Sequence, residues 1–354
     1  MRYLVTGGAG FVGSQLSLFL KRDHPGSEVV AFDNLHRKGS ELNLPRLKKG
    51  GVKFVKGDVR QIDQLIDVGP VDFLIECSAE PSVHAGYGES PAYLIDTNLL
   101  GAINCLEFLR QTDGVMVFIS TSRVYPIQAL RDLPTEVAGD RLDIAPAATG
   151  PGWSAEGISE DFTLDGVRSL YGTTKLSAEL LIQEYSETYD LPAIINRCGV
   201  IAGPWQMGKV DQGFVSLWVA RHLFGGRLNY MGFNGEGRQV RDILHPEDLY
   251  ELLRIQMREP RRFTGATFNV GGGRDVSVSL RELTGLCGQI TGQSIDIGRD
   301  PETRTADIAY YVSDCRRVRE LTGWKPQRGA QQIVEETHLW LQENRSILEP
   351  VFCA

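Results

Sequence analysis

The sequence predicts an α/β protein: a doubly wound parallel sheet followed by a smaller, mixed C-terminal domain that binds substrate. Three observations carry that reading. An apolar strand runs into a glycine turn at the start of the chain. Apolar runs then alternate with helical patterns up to about residue 200. After Gly203-Pro204 the rhythm changes.

The first element is Leu4-Val5-Thr6-Gly7-Gly8-Ala9-Gly10-Phe11-Val12-Gly13, where a strand turns into an amphipathic helix carrying Val12, Leu16, Leu18, Phe19 and Leu20. Gly7 can adopt the angles of a sharp turn. Gly10 removes a side chain where a pyrophosphate must approach the backbone, and Gly13 lets the helix pack against the strand. The helix N-terminus offers free N–H groups and a positive dipole end to phosphates. A second strand at 29–32 ends in Asp33, twenty residues past Gly13, which completes the context of a Rossmann dinucleotide site. A carboxylate there accepts hydrogen bonds from ribose hydroxyls and repels a 2′-phosphate, so NAD is favoured over NADP. Arg37 and Lys38 follow closely and can pair with a phosphate, which moderates that preference.

Further strands are expected at 52–55, 73–77, 115–120 and 193–196, with helices clearest at 93–110 and 176–189. Uniformly apolar strands separated by helices imply a parallel sheet covered on both faces, with ligands at the carboxyl ends of its strands. We draw one boundary, giving an NAD-binding domain over 1–203 and a smaller substrate-binding domain over 204–354, interleaved with the first. The latter holds helices at 214–224, 246–257, 280–291 and 331–344 between short extended pieces. Residues 126–170, rich in Pro, Gly, Asp and Ser, make a connection too long for an ordinary loop. They form either a functional lid or a structural excursion over the sheet edge.

Bulk composition narrows the function classes. The 354 residues are 42% hydrophobic and 23% charged, ordinary values for a globular chain with a large core. A net charge of −8 without a basic run argues against a nucleic-acid surface. The six cysteines contain no C-x-x-C pair and the six histidines are dispersed, so neither a thiol redox motif nor a metal site has support. No apolar stretch is long enough to span a membrane, and the first strand leaves no room for a signal peptide, so a cytoplasmic location is expected.

The chemistry is carried by Tyr171-Gly172-Thr173-Thr174-Lys175 and by Ser120-Thr121-Ser122-Arg123 at the end of the fifth strand. Tyr and Lys four apart share one helix face, so the ammonium can sit beside the phenol. A free tyrosine has a pKa of about 10, and acting as a base near neutrality needs a drop of roughly 3 units, about 4 kcal/mol. A neighbouring cation and an oxidised nicotinamide in a desolvated pocket can supply it. A hydroxyl at Thr121 can hydrogen-bond a substrate alcohol and polarise the ketone it becomes.

Taken together, GGAGFVG, Asp33, Thr121, YGTTK and Gly237-Arg238-Gln239-Val240-Arg241-Asp242 resemble the extended short-chain dehydrogenase/reductases, specifically the nucleotide-sugar epimerases and dehydratases. The resemblance covers nearly the whole chain. Further pieces look most like a CDP-sugar 2-epimerase within that family: Phe32-Asp33-Asn34-Leu35 with Arg37-Lys38-Gly39, Asp211-Gln212-Gly213 with Trp218, and the segment from Gly150 to Asp161. It implies Thr121, Tyr171 and Lys175 as catalytic residues. For the dinucleotide it implies Gly7, Gly10, Phe11, Val12, Gly13, Asp33, Asn34, Arg37, Lys38, Asp58, Val59, Cys77, Ser78, Ala79, Asn98 and Ser120, beside Tyr171 and Lys175. For the substrate it implies Thr121, Ser122, Arg123, Gln212, Arg241, Arg304 and Asp307, with the two later arginines clamping the diphosphate. It also implies a homodimer pairing the helices at 93–110 and 176–189.

Departures from the family pattern are informative. Sugar 4,6-dehydratases carry Asp-Glu at the positions of Ser122 and Arg123, and related decarboxylases keep a Glu at the second. Arginine cannot act as a general base, so dehydration and decarboxylation are disfavoured. Glu76 and Glu80 stand where His and Gln are usual, Val200 where many 4-epimerases carry Asn, and Pro126 where Gly is typical. What remains is epimerisation through a transient ketone: Tyr171 takes a hydroxyl proton, hydride passes to NAD, and it returns to the opposite face of the sugar. A 4-epimerase or a reductase of another nucleotide sugar, and a non-catalytic NAD sensor, stay as alternatives.

Overall fold

The structure is a computed structural model that describes residues 1–208 and 212–353. Its central sheet holds β1 (Arg2–Thr6), β2 (Glu28–Asp33), β3 (Lys53–Lys56), β4 (Phe73–Glu76) and β5 (Val115–Thr121), joined by Ala193–Cys198 and Thr267–Val270. The order across the sheet is Thr267–Val270, Ala193–Cys198, β5, β4, β1, β2, β3. Every pair from β3 across to Ala193–Cys198 is parallel. From β1 the chain proceeds outward through β2 and β3, then restarts on the other side with β4. The strand order therefore reverses between β1 and β4, which is where such sheets open a ligand crevice at their carboxyl ends. Register aligns Thr6 with Phe32 and Glu76, and Glu76 in turn with Phe118, so β5 and its neighbour Ala193–Cys198, which pair Thr121 with Cys198, run on past the end of β4.

The strands read as continuous apolar runs because helices cover them. Leu4, Val30, Leu74, Phe118 and Ile195 are buried against Leu106 and Phe108 of the helix Gly101–Thr112 and Ala178 and Ile182 of the helix Leu170–Tyr189. Each such side chain contributes roughly 1.5–3 kcal/mol by leaving water. The expected helix at 93–110 is a helical run from Ala92 to Thr112 with a wider turn at Asp96–Leu100, which directs Asn98 inward. The next helix begins at Leu170, ahead of the apolar pattern, because Tyr171, Thr173 and Thr174 offer no hydrophobic period to read. The edge strand Thr267–Val270 is not among the six expected, because it lies beyond residue 203, in the part of the chain read as the second domain.

The chain forms two compact units, each drawn from three segments. Met1–Val124, Leu170–Cys198 and Leu249–Phe268 make the first; Tyr125–Ser169, Gly199–Asp248 and the chain from Asn269 onward make the second. This differs from a single boundary at 203, and packing explains the return of 249–268. Tyr250, fully buried, packs its ring at a tilt against Phe19 of α1 (Phe11–Asp23), centroids 5.5 Å apart, and donates its hydroxyl to Asp23 at 3.0 Å. Gln256 exchanges two hydrogen bonds with buried Asn196 at 2.9 and 3.0 Å.

In the second unit, Val240–Leu244 is flanked by Val200–Ile201 and Ser277–Ser279 and also pairs with Tyr310–Tyr311. The long connection after Tyr125 is structured: a hairpin of Thr135–Ala138 with Arg141–Ile144, then three short strands between Thr149 and Ile158. Ser279 and Glu282 form a capping box at the start of Leu280–Thr291. No helix among the described residues is long and apolar enough to cross a membrane.

Candidate active site

In the first unit the glycine turn forms a cradle. Gly7 takes φ +61°, and a Cβ there would meet the Cys77 carbonyl oxygen at 2.7 Å; a Cβ at Gly13 would collide with the Gly7 carbonyl. Gly10 caps α1 and bonds back to Gly7 at 2.9 Å. A cavity opens beside this turn. It is lined by Gly7 and Gly10, by Asp33, Asn34 and Arg37 after β2, by Val59, and by Cys77, Ser78 and Ala79 after β4. Phe32, His36, Ser40, Gly57, Glu80, Tyr93 and Thr97 complete it. His36 stacks on Tyr93 with ring centroids 4.1 Å apart, a wall that no periodic pattern announces.

Asp33 is anchored by the backbone it faces. Its carboxylate accepts the Ala9 N–H at 3.0 Å and the Leu35 N–H at 2.7 Å, while burial and the charge of Asp58 push its carboxyl up. Asp58 accepts from Asn34 at 3.0 Å and pairs with Arg60, which holds its carboxyl down at about 2. Asn98 does not line the cavity. It braces it instead, accepting the Glu80 N–H at 2.8 Å and donating to the Glu80 carbonyl and to Thr174. Phe11 and Val12 are partly exposed in the first turn of α1, and Lys38 is exposed. An anionic dinucleotide fits this donor set: backbone N–H groups at a helix start, no Cβ in the way, and an acceptor at the end of β2.

The residues expected to be catalytic lie in the same unit. Thr121 ends β5 and is hydrogen-bonded to the phenol of Tyr171. Burial raises the phenol's proton affinity, and the positive charges of Lys175 and Arg123 and the Thr121 hydrogen bond oppose it. Lys175 is 2% exposed, with its ammonium 3.9 Å from the Phe118 ring centre and 3.3 Å from Glu76. The Ser120 hydroxyl turns away toward Glu179, to which it donates. Ser122 is buried, and the Arg123 N–H donates to the Thr121 hydroxyl at 3.1 Å.

The second unit holds the other implied substrate residues. The Arg241 guanidinium donates to the carbonyls of Val240 at 2.7 Å and Ile308 at 2.6 Å. Arg304 pairs with Asp307 at 3.1 Å, and both lie on a loop whose carbonyls at 304, 305 and 307 accept from Arg131. The structure thus gathers Arg241, Arg304 and Asp307 around one loop. Arg131 was missed because its helix, Ile127–Arg131, lies far away in sequence. Gln212 is partly exposed; its neighbour Asp211 lies outside the described residues.

Comparisons with known proteins follow the same lines. A family model described as "NAD dependent epimerase/dehydratase family" matches residues 3–271. CDP-paratose 2-epimerase of Salmonella typhi is 28% identical over 349 residues, covering 96% of this chain and 99% of that protein. A dTDP-glucose 4,6-dehydratase of Streptomyces antibioticus is 27% identical over 360 residues, covering 99% and 95%. Among solved structures, dTDP-glucose 4,6-dehydratase of Bacillus anthracis in complex with NAD is similar with a TM-score of 0.77, 25% identity and 99% of each chain covered.

Proposed function

Because the chain belongs to the NAD dependent epimerase/dehydratase family, we propose that it epimerises a nucleotide sugar through a transient keto-sugar, converting CDP-paratose to CDP-tyvelose by inversion at C2. The observation that carries the reading is the group around Tyr171. A hydroxyl, an ammonium and a guanidinium act on the phenol, and neither residue after Thr121 is a carboxylate. Elimination of water needs an additional acid and base, which Ser122 and Arg123 do not supply. Oxidation followed by reduction needs one proton acceptor that later gives the proton back.

NAD, when bound, supplies the hydride acceptor and donor. Gly7 and Gly10 admit its pyrophosphate, and Asp33 holds the adenosine ribose. The Tyr171 phenolate oxygen takes the proton of the sugar hydroxyl and returns it to the epimerised alcohol. Lys175 stabilises the phenolate by its charge, and Thr121 orients the hydroxyl through its own. Arg241 and Arg304 bind the diphosphate; Arg304 exchanges the Asp307 carboxylate for phosphate oxygens. Such a tether lets a keto-sugar turn over without leaving.

A homodimer is part of the same proposal. Ile95 and Leu100 on one helical run and Leu180 and Tyr189 on the other are exposed large hydrophobic residues, and light scattering on the eluting protein measures the mass.

The deciding experiment incubates the purified protein with a panel of CDP-, UDP- and GDP-sugars and reads C2 and C4 stereochemistry by NMR. Inversion at C2 of CDP-paratose without added cofactor is expected. Inversion at C4 alone, or stoichiometric consumption of a reduced nicotinamide, overturns it.

A further inference from the structure

A buried lysine has to be kept charged, and in this fold one residue is placed to do so. Lys175 and Glu76 are each 2% exposed, and their Nζ and Oε2 lie 3.3 Å apart. Glu76 ends β4, level with Thr6; burial pushes its carboxyl up, and the Lys175 charge and the Ser78 N–H oppose that rise. The Phe118 ring covers the ammonium at 3.9 Å.

Other groups facing the pair carry no compensating charge. Cys77 follows Glu76, and Cys105 approaches from the helix Gly101–Thr112; burial pushes both thiols well up, so they are neutral near neutrality. Around Tyr171 stand Thr121 at the end of β5, Arg123 two residues on, and the Cys198 thiol at the end of Ala193–Cys198. Glu179, one turn beyond Lys175, is already committed to Arg197. Glu76 is therefore the carboxylate paired with this ammonium.

We propose that Glu76 is a positioning residue: the buried counter-ion that keeps Lys175 an ammonium, and through Lys175 sets the pH at which Tyr171 can give up its proton. Among the groups acting on the phenol Glu76 is absent, so its influence passes through Lys175. Removing one partner of a buried pair leaves an uncompensated charge, which a lysine relieves by releasing its proton. A neutral Lys175 no longer opposes the burial that raises the phenol's proton affinity. The inference rests on reading Tyr171 as the proton acceptor.

The test compares the NAD-loaded parent protein with Glu76→Gln, Glu76→Asp and Tyr171→Phe. The titration of Tyr171 is read without substrate, as the ultraviolet tyrosinate absorbance that Tyr171→Phe removes. In Glu76→Gln that component is expected to move up by about one pH unit or more, and the acidic limb of kcat/KM to move with it. Glu76→Asp is expected to restore the parent position in large part. A uniform loss of activity with an unmoved titration overturns the inference, while a fully active Tyr171→Phe variant overturns the underlying reading instead. If Glu76→Gln does not fold, the double variant Glu76→Gln/Lys175→Met decides. Recovered folding supports the inference, because the lone ammonium was what the fold could not hold; continued failure overturns it.

Discussion

Glu179 and Arg197 form an ion pair inside the first unit, with Oε2 2.7 Å from Nη2 and side-chain exposures of 1% and 6%. Glu179 lies one helical turn beyond Lys175 and also accepts from Ser120, so it ties the helix Leu170–Tyr189 to β5 and to Ala193–Cys198. Breaking one side of such a pair costs about 3–5 kcal/mol, because the remaining charge stays buried. Arg197→Met is expected to lose stability of that order in denaturant unfolding, and Arg197→Met/Glu179→Leu to recover most of it. Equal losses in both variants count against the pair as the cause.

Tyr171→Phe removes the proposed proton acceptor and leaves the glycine cradle and Asp33 untouched. Turnover is expected to fall by about 10²–10⁴-fold, while the NAD released on denaturation stays at the parent level. Loss of NAD in this variant would make the phenol a cofactor-binding group first.

Asp33 receives the Ala9 and Leu35 N–H groups and faces the same cavity as Gly7 and Val59. Asp33→Ser is expected to weaken NAD binding by about 1.5–3 kcal/mol, tenfold or more in Kd. The same change raises the relative affinity for NADP, since the carboxylate that repels a 2′-phosphate is gone. Calorimetric titration with both dinucleotides measures the ratio.

Asp242, fully buried in the second unit, is pushed up to about 6 by desolvation despite hydrogen bonds from Ser313 and Gly273. Its folded value lies above the ordinary 3.8. Its contribution to stability is therefore complete below the ordinary value and is lost as pH rises through about 6. The parent's Tm is expected to carry that downward step, and Asp242→Asn, which mimics the protonated group, to flatten it. A step of unchanged size in the variant assigns it to another residue.

Much of the site was legible because it is local. The turn from Gly7 to Gly13 is dictated by backbone angles and by the absence of side chains, and both are written in residue type. Tyr171 and Lys175 share a helix face through their spacing alone. The edge strand Thr267–Val270 and the return of 249–268 to the first unit were not legible, since short apolar runs pack equally well in several places.

By itself, then, the sequence determined the parallel sheet, the glycine turn with Asp33 beside it, and the residue types of the proposed proton-transfer group. Tertiary structure alone decided which charges those residues live beside. Glu76 reaches Lys175 across 99 residues and Ser120 reaches Glu179 across 59, while Arg131 closes on a loop 173 residues away. Periodicity reports which face of an element is apolar, but a carboxylate's partner depends on which strand the fold lays beside it. Burial then makes that pairing count, because a charge removed from water depends on its nearest neighbours.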